Sequence, residues 1–340
     1  MGGYDLFKYF RPLKAIGSLM ILLVLGIVAV NYHSIVVRSN SYGQAALGHA
    51  TAASGAASLG RAGSAALVLV FHLLVGMLLW CYFSAVFADN SVPAGWLPDE
   101  AFTEDGERLE GAAIARYPDP KRLYNRHGRV RFCRKCREFK PPRSHHCSIC
   151  GKCVLKMDHH CIWVVNCVGN ANYKAFLLFL FYTLVTCTYA FAALLPDVLD
   201  SFASSPKGGG MQDGNMAGPF LAAVLDIAFV LAVTGFIIMH FGLVRANTTT
   251  IESFEKLTPG RRWMYDVGAQ RNWEQVMGAR RAWWLVPCYS PHDRAAHPEV
   301  RSGLDFPVAM LSEGMEGTAS SGADIEAGAG GSVRSRGSNL

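Results

Sequence analysis

Residues 131–173 read RFCRKCREFKPPRSHHCSICGKCVLKMDHHCIWVVNCVGNANY. Seven of the ten cysteines and four of the eleven histidines of the chain lie in this stretch. Cys133-x-x-Cys136, Cys147-x-x-Cys150 and Cys150-x-x-Cys153 have the two-residue gap that lets two thiolates grip one tetrahedral zinc. His146 and His160 are candidate nitrogen ligands in the same loops. Two closed zinc sites need eight ligands. The window offers eleven, and spacing alone leaves open which three remain. A metal-free reduced loop and a disulfide framework are the alternatives; a cytosolic location, argued below, disfavours the second.

Asp158-His159-His160-Cys161 places a carboxylate, an imidazole and a thiol within four residues. A thiolate is the reactive form of cysteine, and a neighbouring histidine can take its proton. A carboxylate can orient that histidine and stabilise its charged form.

With these motifs in place the sequence resembles the DHHC-type protein S-acyltransferases, which are palmitoyltransferases. The resemblance rests on Cys133-x2-Cys136, His146-Cys147-x2-Cys150-x2-Cys153, Asp158-His159-His160-Cys161 and Cys167-Val168-Gly169-x2-Asn172-Tyr173-x2-Phe176, and covers roughly residues 10 to 290. It implies one structural zinc on Cys133, Cys136, His146 and Cys153, and a second on Cys147, Cys150, His160 and Cys167. It further implies Cys161 as nucleophile, His159 as general base and Asp158 as its orienter, with His145 spare. Ile162 and Val165 stand where the family has Pro and Asn. Thr249-Thr250-Ile251-Glu252 matches the family's TTxE motif, which implies contacts that organise the active-site region, and Thr249 and Glu252 also read as a helix capping box. Tyr265-Asp266-x-Gly268 with Asn272 resembles a C-terminal family element, in which Asn272 is taken as structural.

Composition places this centre in a membrane protein. The chain is 51% hydrophobic and 17% charged, with a net charge of +6, which is apolar for a soluble protein. Four apolar runs, Ala15 to Val37, Ala65 to Phe87, Tyr173 to Leu195 and Pro219 to Val244, are long enough to cross a hydrocarbon core of about 30 Å. The first lacks a small-residue cleavage pattern and reads as a span, not a signal peptide. Leu6 stands where N-myristoylation asks for Ser or Thr. Asp226 in the fourth run is expected to pair with a neighbouring polar group, and His72 in the second to be packed and hydrogen-bonded. The fold class is therefore an all-α polytopic membrane protein: four transmembrane helices with a zinc-stabilised cysteine-rich domain between helices 2 and 3.

The organisation that follows is an N-terminal segment (1–14), helices 1 and 2 with their loop (15–88), a connector (89–130), the cysteine-rich catalytic domain (131–173), helices 3 and 4 with their loop (174–244), a C-terminal region (245–301) and a tail expected to be disordered (302–340). Lys and Arg decide orientation. Fourteen lie between Asp89 and Asn172, eleven after Val244 and three before Ala15, against Arg38 and Arg61 in one opposite loop and Lys207 in the other. The termini and the cysteine-rich domain are thus expected on the cytosolic side, where thiols stay reduced.

The resemblance implies transfer of a long-chain acyl group from acyl-CoA (palmitoyl-CoA) through acyl-Cys161 to cysteines of membrane-proximal proteins. It implies residence in endomembranes, the Golgi foremost, or the plasma membrane. The partners are acyl-CoA, protein substrates with cytosolic cysteines and the lipid bilayer. The basic residues Arg129, Arg131, Arg134, Lys135 and Arg143 suit phosphates or lipid headgroups, or a simple solvated face. The competing readings are a non-enzymatic zinc scaffold, which would not need Asp158 or Cys161, a zinc-finger ubiquitin ligase, whose spacing differs, and a nucleic-acid binder, which a zinc knot between membrane spans disfavours.

Overall fold

In lipid every backbone polar group needs an internal partner, so apolar runs of this length resolve into helices. The computed structural model describes residues 12–38, 41–49, 55–94, 96, 131–203, 217–254, 263–296 and 298–309. Most of the connector, the first eleven residues and residues 310–340 lie outside it, and with them the expectations for those segments. Helix α1 (Pro12–Tyr32) continues into a π-helical turn (His33–Val37), followed by the short α2 (Tyr42–Ala46) and the long α3 (Gly55–Val86). After three β-hairpins come α4 (Tyr173–Ala203), α5 (Ala217–Ala246), α6 (Thr250–Phe254), α7 (Ala269–Met277), α8 (Pro291–Ala296) and α9 (Pro298–Ser302). Among the described residues four helices are long and apolar enough to cross a bilayer, their spans beginning at Leu19, Leu59, Tyr173 and Ala217. This marks an integral membrane protein.

α4 lies between α3 and α5, while α1 packs on α5. The buried side includes Phe71, Tyr82, Leu178, Phe179 and Leu194. Leu22, Leu69, Leu73, Leu231 and Ile238 are exposed on the outside, as expected of surfaces that meet lipid instead of water. Two polar side chains of the spanning helices have partners. Asp226 is fully buried and accepts from Asn31 Nδ2 at 3.0 Å. His72 bonds the Tyr32 hydroxyl at 3.1 Å and the Val68 carbonyl at 2.7 Å, although its ring lies on an exposed face of α3.

Two helix boundaries differ from the sequence reading. The stretch 38–64, read as a loop for its Ala, Gly and Ser and its few charges, contains α2, capped by Ser41 Oγ accepting from Gln44 N at 3.3 Å, and the first turns of α3. Alanine carries those turns. α3 kinks at Gly60, whose φ of 68° only glycine adopts without strain. At the other end, α4 runs through Pro196 to Ala203. Asp197, one residue past the proline, forms a buried ion pair with Arg38, which fixes the turn that the proline would otherwise loosen.

The C-terminal region folds back on α5. Asn272, fully buried, donates to the Arg245 carbonyl at 2.8 Å and to Asp266 at 2.6 Å. It thereby caps the end of α5 and confirms the structural reading of this residue. Trp273 of α7 packs on Phe241 and Trp284. The chain stays ordered past Ser302, where the sequence reading began the tail: Phe306 is 1% exposed, lying 5.0 Å over the Arg143 guanidinium.

Candidate active site and metal centres

The window 131–173 folds into three antiparallel hairpins: β1 (Phe132–Cys133) with β2 (Glu138–Phe139), β3 (His145–Cys147) with β4 (Lys152–Val154), and β5 (His159–Cys161) with β6 (Asn166–Val168). Their registers sort the ligands. His146 pairs with Cys153 and His160 with Cys167 directly across the ladder. Each cross-strand pair faces the Cys-x-x-Cys turn of the preceding hairpin. Cys133, Cys136, His146 and Cys153 thus converge, as do Cys147, Cys150, His160 and Cys167, with the ligand atoms of each set within 4.8 Å of one another.

His146 Nδ1 lies 3.5, 3.2 and 4.0 Å from the sulfurs of Cys133, Cys136 and Cys153. His160 Nδ1 lies 3.6, 3.4 and 3.6 Å from those of Cys147, Cys150 and Cys167. Zn–S bonds of about 2.3 Å set sulfurs about 3.7 Å apart in a tetrahedron, and Cys150 and Cys167 stand at 3.4 Å. Two Cys₃His sets of this size fit two closed zinc sites. His145 joins neither.

Strand alternation then separates ligand from chemistry. Successive residues of β5 point to opposite faces. His160 faces the metal set, so His159 and Cys161 share the other face. His159 Nδ1 donates to Asp158 Oδ2 at 2.6 Å, leaving Nε2 for Cys161. Burial opposes charge on all three groups, but their mutual interactions outweigh it. Asp158 is held below the usual carboxylate range by His159 and Thr250, and His159 is raised to about 9 by Asp158 and Cys161. The Cys161 thiol is lowered by His159 and the backbone N–H groups of Val164 and Trp163. The pair therefore leans toward thiolate and imidazolium.

Asp158 is itself fixed. It is 1% exposed and accepts from Thr250 N at 2.8 Å and Thr250 Oγ1 at 2.9 Å. Thr249 and Glu252 exchange the capping-box bonds, Glu252 N to Thr249 Oγ1 at 3.2 Å and Thr249 N to Glu252 Oε2 at 2.8 Å, so α6 starts where Thr250 meets Asp158. The third hairpin is seated on the end of α3. Asn166 Nδ2 donates to the carbonyls of Ala85, Val86 and Ala88, and Tyr82 donates to the Trp163 carbonyl at 3.0 Å. Gly169 admits no side chain, because a Cβ there would stand 2.6 Å from the Leu155 carbonyl.

Below the hairpin an apolar cavity of about 130 Å³ runs between the spanning helices. Trp163, two residues from Cys161, forms part of its wall with Val28, Leu78, Phe179 and Phe229.

Comparison with known proteins agrees with this geometry. The family model "DHHC palmitoyltransferase" matches residues 126–257. The chain is 46% identical to "Probable protein S-acyltransferase 13" of Arabidopsis thaliana, over 91% of this chain and 97% of that one. It is 32% identical to "Palmitoyltransferase ZDHHC15" of Xenopus laevis, over 73% of each. The chain belongs to the DHHC palmitoyltransferase family. "Palmitoyltransferase ZDHHC2" of Homo sapiens is 31% identical over 73% of this chain and 68% of its own length.

Two positions separate this member from the family pattern. Ile162 beside Cys161 is 60% exposed. Val165 takes a φ of 52°, a left-handed conformation that a β-branched residue enters at a cost of about 1–2 kcal/mol and that Asn tolerates. The hairpin turn is thus kept at the cost of strain. Val165→Asn is expected to raise stability by about 1 kcal/mol, read as an upward shift of the thermal unfolding midpoint in detergent.

Among the basic residues that the sequence reading singled out, one is deeply buried. Arg143 was grouped with surface bases, yet it is 3% exposed. It holds Glu252 in a two-bond fork at 2.8 and 2.7 Å and donates to Asn247. Its distance from that partner in the chain hid it. Arg131 is also engaged, donating to the Pro141 and Ser144 carbonyls, and Arg129 lies outside the described residues.

Proposed function

We propose that this protein is a protein S-acyltransferase that moves a long-chain acyl group, palmitoyl foremost, from acyl-CoA to cysteine thiols of membrane-associated proteins. The observation that carries this is the Asp158–His159 contact at 2.6 Å with Cys161 on the same strand face. In the first step His159 Nε2 takes the Cys161 proton and the thiolate attacks the thioester carbonyl. The tetrahedral adduct expels CoA as thiolate, which recovers the proton from His159, leaving acyl-Cys161. In the second step a substrate thiol gives its proton to His159 and attacks acyl-Cys161. The Cys161 thiolate leaves and is reprotonated.

One thioester replaces another, so the steps are nearly balanced in energy and the burden falls on thiolate formation and positioning. Asp158 keeps His159 in one tautomer and stabilises its charged form. The apolar cavity next to Trp163 suits the acyl chain, whose burial contributes roughly 0.8 kcal/mol per CH₂. Zinc, when bound, supplies structure alone: with four protein ligands each site has no open position. The excess of Lys and Arg supports a cytosolic location for the termini and the cysteine-rich domain. The substrates would then present cytosolic cysteines close to an endomembrane, the Golgi foremost, or the plasma membrane.

The test is acyl loading. Detergent-purified protein and its Cys161→Ser variant are incubated with labelled palmitoyl-CoA. Wild type is expected to retain label that neutral hydroxylamine releases, and the variant none, with both zincs bound in each. Unlabelled, zinc-replete wild type would overturn the enzyme reading in favour of a zinc-binding scaffold. Equal label on the variant would move the nucleophile elsewhere.

A further inference from the structure

Beside the proposed base lies a buried imidazole that the reaction steps leave unused. His240, on α5, is 1% exposed, and its ring centroid stands 6.0 Å from that of His159. At the start of α4 the Tyr173 hydroxyl meets His240 Nδ1 at 3.0 Å. Phe176, one turn further along α4, touches both imidazoles edge-on, at 5.2 Å from His240 and 5.3 Å from His159. Tyr173 and Phe176 are buried as well.

This arrangement answers a geometric need. The hydrogen bond from His159 Nδ1 to Asp158 is a pivot. It fixes one nitrogen but not the tilt of the ring about that contact. A tilting ring carries Nε2 away from Cys161 Sγ. A second contact, off the hydrogen-bond axis, is required to hold the plane, and the Phe176 edge is placed to give it. Phe176 in turn is flanked by His240: the three ring centroids, 5.2, 5.3 and 6.0 Å apart, form a triangle in which His240 bears on Phe176 and on the His159 ring alike.

An imidazole buried without a partner would cost free energy; the Tyr173 hydroxyl supplies that partner and fixes the ring's orientation. We propose that His240, held by Tyr173, is a positioning residue that with Phe176 flanks the His159 ring, fixing its tilt and so the alignment of Nε2 with Cys161. Its place is support, since Asp158 already occupies the hydrogen-bonding nitrogen of His159.

The inference rests on the reading of Cys161 as the acylated residue, and the experiment separates the two. Single-turnover acylation by labelled palmitoyl-CoA is measured on full-length wild type, Cys161→Ser, His240→Ala, His240→Phe and the double variant Tyr173→Phe/His240→Phe, with bound zinc determined for each. His240→Ala is expected to lower the maximal acylation rate by roughly ten- to a hundredfold, the scale on which small misplacements act. Its half-saturating palmitoyl-CoA concentration and its zinc content should stay at the wild-type values.

His240→Phe restores a ring beside Phe176 and His159 but strands the Tyr173 hydroxyl. The double variant removes that hydroxyl and should recover most of the rate. This comparison of the two phenylalanine variants decides the matter even if the alanine variant fails to fold. A folded His240→Ala protein that acylates at the wild-type rate overturns the proposal, as does a double variant no faster than His240→Phe alone. Absence of label on wild type strikes the Cys161 reading instead.

Discussion

Cys150→Ser is expected to lower bound zinc from two to one per chain and to abolish acyl loading, whereas Cys161→Ser abolishes loading with both zincs in place. The two cysteines lie on neighbouring hairpins and differ in the face they present. Cys150 belongs to the set completed by His160 and Cys167, and those two residues are the cross-strand rung of the hairpin that carries His159 and Cys161. Each strand of that hairpin has three residues, too few to hold together on ladder bonds alone. Its order therefore comes from the metal site and from Asn166 on the end of α3.

Apparent zinc binding in such small sites is worth about 10–16 kcal/mol, and that free energy is folding free energy for the segment. Losing one of the site's three thiolates removes enough of it to release the rung, and the alignment of His159 with Cys161 goes with it. Zinc determination, acyl loading and protease resistance of residues 131–173 on the same samples check this. A Cys150→Ser protein that keeps two zincs and a protease-resistant window would reassign that ligand.

Much of this centre is legible in the chain because its determinants are local. Two-residue gaps between cysteines mark the zinc turns, and Asp158-His159-His160-Cys161 brings its functional groups close by sequence alone. The partition of ligands is less local. Spacing offered eleven candidates; hairpin register, which sets His146 opposite Cys153 and His160 opposite Cys167, is what divides them. The separation of His160 from His159 and Cys161 follows from the two-residue period of a strand, and becomes readable once the segment is known to be a strand.

What the chain hides are partners far apart along it. Thr250 reaches Asp158 across 92 residues, and His240 meets Tyr173 across 67. The end of α4 is a further case. The apolar run ends at Leu195, and the ion pair that Asp197 makes with Arg38, 159 residues away, lies in the turn beyond it.

Glu252→Ala is expected to destabilise the protein by about 3–5 kcal/mol, the cost of leaving a buried charge without its partner. Arg143 is the charge in question. Its guanidinium is enclosed by the Tyr265 and Phe306 rings at 4.7 and 5.0 Å, so water cannot replace the lost carboxylate. Burial works against ionisation of Glu252, but Arg143 outweighs it and holds the carboxyl below its ordinary range. With the folded pKa depressed, this contribution is complete at neutral pH and is lost as pH falls below the usual glutamate values.

The same substitution removes the capping box of α6, and with it the fixed position from which Thr250 grips Asp158. Stability and catalysis should therefore fail together in Glu252→Ala but separate in the double variant Arg143→Met/Glu252→Leu. Replacing both charges by apolar groups of similar size removes the stranded cation, so most of the unfolding midpoint should return. The acylation rate should not, because Thr250 still lacks its anchor. A double variant that recovers the rate along with the midpoint would mean that Asp158 holds His159 without help from α6.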